Sequence, residues 1–274
     1  MAGDNRAMKQ IICIKWGDKY GPEHVNRLYG GIARNITPPF RLICFTDSDA
    51  GLRPEAEVRP LPDFAYEAPR NTRGKWPKSR LWGDLGDITG VVLFMDLDII
   101  VTGNLDGFFD YGRPEDFILA RNPNTPFERL GQTSLYRMTV GALQPLQGIF
   151  AADPQGIADK YRYEQRFVTR NAPGGVRFWP RGWVAHFRWH CVPGFPLNYM
   201  LAPQPPRGTK VVIFPGGTDP KDALQGRWSG RHPLRTGAAD HLRATFDGRR
   251  QEKLLSHLRH FHRKADWIAE NWRE

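Results

Sequence analysis

Apolar residues first gather at Ile11 to Lys15, a β-branched run that ends at Trp16-Gly17. The polar and apolar rhythm from Glu23 to Asn35, opened by Pro22 in a first-turn position, predicts a helix. Phe40 to Phe45 repeats the strand pattern and stops at Thr46-Asp47-Ser48-Asp49, a polar cluster suited to a loop at a strand's carboxyl end. Strand, helix and strand in that order make a β-α-β unit. Val58 to Leu61 predicts a third strand, Leu81 to Leu85 a helical fragment, and Val91 to Met95 the strongest strand of the chain. Uninterrupted apolar runs suit a parallel sheet covered on both faces. From Phe117 onward the runs shorten, to Phe117 to Ala120, Thr139 to Leu143, Trp183 to Phe187 and Val211 to Phe214, with frequent Gly and Pro between them. A mixed second half is expected. No internal repeat, low-complexity tract or linker divides the sequence, so one α/β domain is expected over 1–274. Its parts are a half over about 10–112, a half over about 113–232 and a C-terminal segment over about 233–274.

Composition narrows this picture. With 40% hydrophobic and 12% aromatic residues in 274, the chain has enough apolar material for a core and is not a disordered polymer. No apolar run reaches the roughly 18 residues of a membrane span. The polar start, Met1 to Gln10, has no apolar segment of the secretory kind, so a cytoplasmic protein is expected. Cys13, Cys44 and Cys191 are an odd number without CxxC spacing and read as reduced core residues. The formal charge of +10 could attract nucleic acid, yet no RNP, helix-turn-helix or zinc-finger pattern accompanies it. No nucleic-acid partner is expected.

The C-terminal segment carries its own pattern. Leu254, Leu258, Phe261, Ala265, Ile268 and Trp272 recur at spacings of four and three, flanked by Arg249, Arg250, Lys253, Arg259, Arg263 and Lys264. This predicts a basic amphipathic helix, which either packs on its own core or rests on an anionic membrane surface. His257, His260 and His262 fall in the same stretch without neighbouring Cys or carboxylate ligands and read as surface residues rather than a metal site.

The sharpest chemical feature is Met95-Asp96-Leu97-Asp98, where two carboxylates at i and i+2 close a buried apolar strand. Acids exposed where a hydrophobic run stops suit a hard divalent cation that neutralises a diphosphate. They could also simply cap the strand in solvent.

Context adds weight. Lys15-Trp16-Gly17 on the first strand, Cys44-Phe45-Thr46-Asp47 ending the second, Trp76-Pro77-Lys78 before a helix and Met95-Asp96-Leu97-Asp98 together resemble a GT-A glycosyltransferase of the glycogenin and lipopolysaccharide galactosyltransferase type, over roughly residues 10 to 225. The resemblance implies a GT-A α/β fold and transfer of a sugar, with retention, from a nucleoside diphosphate sugar, UDP-linked, to a glycan or lipid-linked acceptor. It gives Lys15, Trp16, Thr46, Asp47, Lys78, Leu97, Gly216 and Lys221 nucleotide-sugar roles, and Asp96 and Asp98 a bound Mn2+ or Mg2+. Tyr163-Glu164-Gln165 resembles the family's GDQ segment, which implies that Glu164 and Gln165 face the donor sugar as catalytic residues. Thr133-Ser134 stands near the family's Asn-Ser pair. The family's third metal ligand, a His, is replaced by Pro215 in Phe214-Pro215-Gly216-Gly217-Thr218-Asp219-Pro220, and its diphosphate Lys by Asp219. Proline has no side-chain donor, so either metal affinity is weakened, Asp219 substitutes as the oxygen ligand, or the protein no longer catalyses; Lys221 is the candidate for the lost positive charge. A cytoplasmic enzyme with a peripheral contact at the inner face of the membrane is implied. The alternatives are a catalytically silent homologue that still binds nucleotide sugar, and a DxD phosphatase of the haloacid-dehalogenase type, whose first Asp is the nucleophile.

Overall fold

A computed structural model describes residues 8–63, 66, 67, 69, 70, 76–125, 127–235, 237–250 and 252–274. Most of the Met1 to Gln10 stretch, on which the reading of the chain's start rests, lies outside the described residues. In chain order the elements are β1 (Lys9–Lys15), α1 (Pro22–Ala33), β2 (Phe40–Thr46), β3 (Ala56–Pro60), a 3-10 helix (Trp76–Leu81), β4 (Val91–Met95), β5 (Ile100–Val101), α2 (Asp106–Asp110), β6 (Ile118–Arg121) and β7 (Gly131–Thr139). Next come α3 (Gln144–Ala152), α4 (Pro154–Tyr161), α5 (Glu164–Asn171), β8 (Arg177–Phe178), β9 (Val184–His186), a π-helical turn (Phe187–Cys191), a 3-10 turn (Leu197–Tyr199) and β10 (Val211–Ile213). Four short helices close the chain: α6 (Pro220–Gln225), α7 (Ala238–Arg243), α8 (Leu254–Arg259) and α9 (Trp267–Asn271).

Two compact units are interleaved along the sequence. The first takes Met1–Tyr29, Ile36–Leu97 and Asn104–Pro180; the second takes Gly30–Asn35, Asp98–Gly103 and Arg181–Glu274. The longest uninterrupted stretch of the second unit starts at Arg181.

The first unit is built on a seven-stranded sheet in the order β3-β2-β1-β4-β7-β6-β8. β1, β2, β3 and β4 run parallel, with Lys15 level with Thr46 and Ile12 level with Phe94, while β7 runs antiparallel to β4 and to β6. The predicted β-α-β start and the strong fourth strand are therefore present, and Val92 to Met95 are fully buried. One expectation fails. Leu81 to Leu85 is not a helix: the 3-10 helix ends at Leu81, and Leu85 instead bridges to Ile88. The run Thr139 to Leu143 begins where β7 ends, because the strand is the largely polar Gly131–Thr139 that precedes it.

β7 is buried despite its polarity because most of its polar side chains find local partners. Arg137 donates to the carbonyls of Phe109, Tyr111 and Arg113, and the Gln132 side-chain oxygen accepts from the Ser134 backbone N–H at 3.0 Å. Behind the sheet, Trp76 stacks on Phe150 with ring centres 4.6 Å apart, and Trp82 and Phe167 fill the same aromatic core. That packing anchors the 3-10 helix from which Lys78 projects.

The second unit holds a three-stranded sheet, β5-β10-β9, with β10 antiparallel to β5 and parallel to β9. Here the single amphipathic helix expected from Leu254 to Trp272 is corrected to two short ones, α8 and α9. Gly248 at φ +79° follows α7, and residues 260–265 leave helical geometry before α9. The spacing of four and three arises differently: Phe261, Ala265, Ile268 and Trp272 point inward because the segment crosses the core, where the Ala265 N–H donates to the Ala223 carbonyl at 3.1 Å. The Arg34 guanidinium ties down the chain end, donating to the carbonyls of Asn271, Arg273 and Glu274 at 3.0, 2.9 and 3.3 Å. A cation there also suits the negative end of α9. His257 and His262 are buried, not on the surface. Cys13, Cys44 and Cys191 are buried free thiols, as expected.

Candidate functional site

In a parallel sheet the strand carboxyl ends share one edge, where ligands of α/β proteins bind. β1 ends there at Lys15, β2 at Thr46 and β4 at Met95, which brings four of the expected nucleotide residues and Asp96 to that edge of the first unit. Lys15 and Thr46 are buried, Trp16 is 46% exposed, and Asp47 is exposed. The loops after β1 and β2 are joined by the Gly17 N–H, which donates to Asp47 Oδ2 at 2.8 Å. Gly17 takes φ +58°, a left-handed conformation that glycine adopts without strain. That bond, more than any other effect, holds the Asp47 carboxyl below the usual range. Thr46 closes a tight turn in which its hydroxyl donates to the Ser48 carbonyl at 2.9 Å.

A second group of polar side chains lies between the 3-10 helix, β4, β7 and α5. The Lys78 ammonium pairs with Asp96, at 2.7 Å to Oδ1 and 2.8 Å to Oδ2, and also donates to the Thr133 carbonyl at 3.1 Å. The Thr133 hydroxyl donates to Glu164 Oε2 at 2.7 Å. Glu164 Oε1 and the Tyr136 hydroxyl are buried without a hydrogen-bond partner. Asp96, Lys78, Thr133 and Glu164 therefore form one chain of contacts with two carboxylates and one ammonium. Burial pushes the Glu164 carboxyl up from 4.5 to about 7; Lys78 and Thr133 act against that, and the charge of Asp96 adds to it. Near neutral pH this carboxyl can either hold or accept a proton, the poise suited to a group that meets hydroxyls. Burial, aided by the charges of Glu164 and Asp96, raises the Tyr136 phenol well above its ordinary value.

The expected site residues divide as follows. Lys15, Trp16, Thr46, Asp47, Lys78, Asp96, Glu164 and Gln165 belong to the first unit; Asp98, Gly216, Asp219 and Lys221 belong to the second. Leu97 ends the middle segment of the first unit with its side chain buried at 2% exposure, so that side chain serves packing. Gln165 is half-buried, and its carbonyl accepts from the Thr169 hydroxyl at 2.6 Å. Gly216 and Gly217 both take φ +85° in the exposed loop after β10. Asp219 is the N-cap of α6: its Oδ1 accepts from the Lys221 N–H at 2.9 Å, and Asp222 completes a capping box. One of its oxygens is thereby committed to the helix. Sequence reasoning missed Tyr136 and the tie from Gly17. The only signal for Tyr136 was its place two residues after Ser134 in a polar strand; the Gly17 contact, made by a backbone group, had none.

No family model matches the sequence, and no curated protein matches it. Solved structures do. The galactosyltransferase LgtC in complex with donor and acceptor sugar analogues is similar over 82% of this chain and 91% of its own, at 15% identity and a TM-score of 0.54. An active-site mutant of LgtC matches over 89% and 97%, at 14% identity and 0.55. The glycosyltransferase GlyE of Streptococcus pneumoniae TIGR4 matches over 97% of this chain and 65% of its own, at 9% identity and 0.52.

The chain has the GT-A fold. The mixed sheet, with β7 antiparallel beside the parallel β1, β2 and β4, is the frame on which the Lys78 and Asp96 pair is mounted.

Proposed function

We propose that this GT-A chain transfers a sugar from a nucleoside diphosphate sugar, UDP-linked, to a glycan or lipid-linked acceptor. The observation that carries the reading is the chain of contacts from Asp96 through Lys78 and Thr133 to Glu164, mounted at the carboxyl edge of the parallel strands. In this reading the loops ending in Trp16 and Asp47 receive the base and ribose. Trp16 offers an exposed aromatic face, and the Gly17 to Asp47 bond pre-sets the two loops. Lys78 turns from Asp96 toward the donor phosphates or sugar, and Glu164 and Gln165 face the sugar. The buried, unpartnered Glu164 Oε1 accepts a sugar hydroxyl, replacing a missing protein partner.

A divalent cation suits the donor set: Asp96 and Asp98 are half-buried carboxylates, and Asp96, paired with Lys78 in this structure, is freed for the metal when Lys78 turns to the donor. Asp96 and Asp98 would hold Mn2+ or Mg2+, which when bound neutralises charge on the departing diphosphate. Pro215 contributes no ligand, and Asp219 has one oxygen engaged at α6, so the protein's own hold on the metal is weak and the nucleotide completes it. Lys221, exposed on α6, supplies positive charge to the diphosphate. Retention at the sugar carbon belongs to the same proposal. Among the described residues no helix is long and apolar enough to cross a membrane. A peripheral contact with an anionic membrane surface would rest on exposed basic residues such as Arg259, Arg263 and Lys264, since most of the expected apolar stripe is buried.

A thermal-shift screen tests the reading. A UDP-sugar together with Mn2+ is expected to raise the melting temperature, and neither alone to do so by as much. Stabilisation that is equal in EDTA removes the metal from the proposal; no response to any nucleotide sugar removes the donor.

A further inference from the structure

His232, Glu252 and His260 converge in the second unit although 20 and 8 residues separate them in sequence. His232 Nε2 lies 3.1 Å from Glu252 Oε1, and His260 Nδ1 lies 2.6 Å from Glu252 Oε2. One ligand atom from each residue falls within 4.8 Å of the other two. A tetrahedron with metal–ligand bonds of about 2.0 Å has edges of roughly 3.3 Å, so a contraction of no more than about 1.5 Å closes the set. We propose that His232, Glu252 and His260 form a zinc site, distinct from the Asp96 and Asp98 pair, that staples the loop after α6 to both ends of α8.

Four features favour this over a plain hydrogen-bonded network. The donor set, two imidazole nitrogens and one carboxylate, is of the borderline kind that selects Zn2+ over Mg2+ or Ca2+. His232 has a second contact that fixes its ring: Nδ1 lies 2.7 Å from the Ser229 hydroxyl, which leaves Nε2 facing Glu252. Such outer partners orient metal-bound histidines and set their tautomer. His260 is held from the side by Trp228, whose ring stacks on it at 4.7 Å and 13°. All three side chains line one small pocket of about 30 Å³, together with Trp228 and Arg235, which leaves room for a water as the fourth ligand.

The arrangement also answers a structural need. α7 and α8 have six residues each, too short to persist on their own turns. A cation joining the residue that shortly precedes α8, the one that caps its end and a third on the loop after α6 constrains that whole segment.

The test is metal analysis of the full chain after equilibrium dialysis against Zn2+, paired with the visible spectrum of the Co2+-substituted protein. One Zn2+ per chain and a tetrahedral Co2+ spectrum are expected, both retained in Asp98→Ala and lost in Glu252→Gln and His260→Asn. If those variants fail to fold, Ser229→Ala is the milder probe, expected to weaken Zn2+ binding about 10-fold. The absence of stoichiometric Zn2+ from the native chain overturns the proposal, as does Zn2+ binding of native strength in the Glu252 and His260 variants, or in Ser229→Ala where those two do not fold.

Discussion

Glu164→Gln separates the stability of the fold from the chemistry proposed for it. The carboxyl is 4% exposed, and one of its oxygens has no partner, so ionising it is costly. Its displacement from 4.5 to about 7 corresponds to about 3 kcal/mol, at about 1.4 kcal/mol per pH unit. The sign follows from proton counts. Below pH 4.5 the group is protonated whether the chain is folded or unfolded. Between 4.5 and about 7 only the unfolded chain has lost the proton, so stability falls as pH rises, and above about 7 the loss is complete. Glutamine keeps an oxygen for the Thr133 hydroxyl and cannot ionise. Urea denaturation from pH 4 to 9 should therefore give a variant that matches the native chain near pH 4 and exceeds it by up to about 3 kcal/mol above pH 7. The difference between the two curves isolates Glu164 from the histidines that titrate in the same range. Sugar transfer should nevertheless fall in the variant, because the group that weakens the fold is the one proposed to meet the donor sugar. A difference curve that is flat across pH 4 to 9 refutes the argument from burial. Transfer at the native rate refutes the role.

Two further outcomes are expected. Mn2+ binding measured calorimetrically should tighten at least about 10-fold when UDP is present, with a reciprocal effect on UDP, and Pro215→His should strengthen binding of Mn2+ alone; tight Mn2+ binding indifferent to UDP contradicts the proposed ligand set. His186, 3% exposed, is pushed by burial, and further by His190 and Arg188, from 6.5 down to about 3. Its contribution to stability is therefore complete above pH 6.5 and is lost as pH falls toward 3, on the order of 5 kcal/mol. His186→Gln should flatten the acid side of the stability curve, and an unchanged slope counts against this.

The parts legible in the sequence were those with a one-dimensional signature. Val91 to Met95 announced a buried strand because both of its faces are covered, and the turn residues after Ile11 to Lys15 and Phe40 to Phe45 marked the two loops that Gly17 and Asp47 join. β7 was hidden because burial there rests on satisfied polar groups such as Arg137 rather than on apolar periodicity. The C-terminal segment misled for the opposite reason: inward residues of a broken path over the core reproduced helical spacing. At the candidate site, Lys78, Asp96 and Glu164 were each identifiable by type and order. Their linkage through Thr133 depends on the pairing of β4 with β7, which no local pattern encodes. The same holds for His232, Glu252 and His260, which come from stretches with no ligand motif.

The most direct test of the central claim is release of UDP from a panel of UDP-sugars by the native chain in Mn2+, compared with Asp98→Ala. Slow turnover of at least one donor by the native chain is expected. In the variant turnover should be lost, with a cost of no more than about 1 kcal/mol in stability. Turnover that survives in Asp98→Ala, or a native chain that neither binds nor turns over any nucleotide sugar, would contradict it.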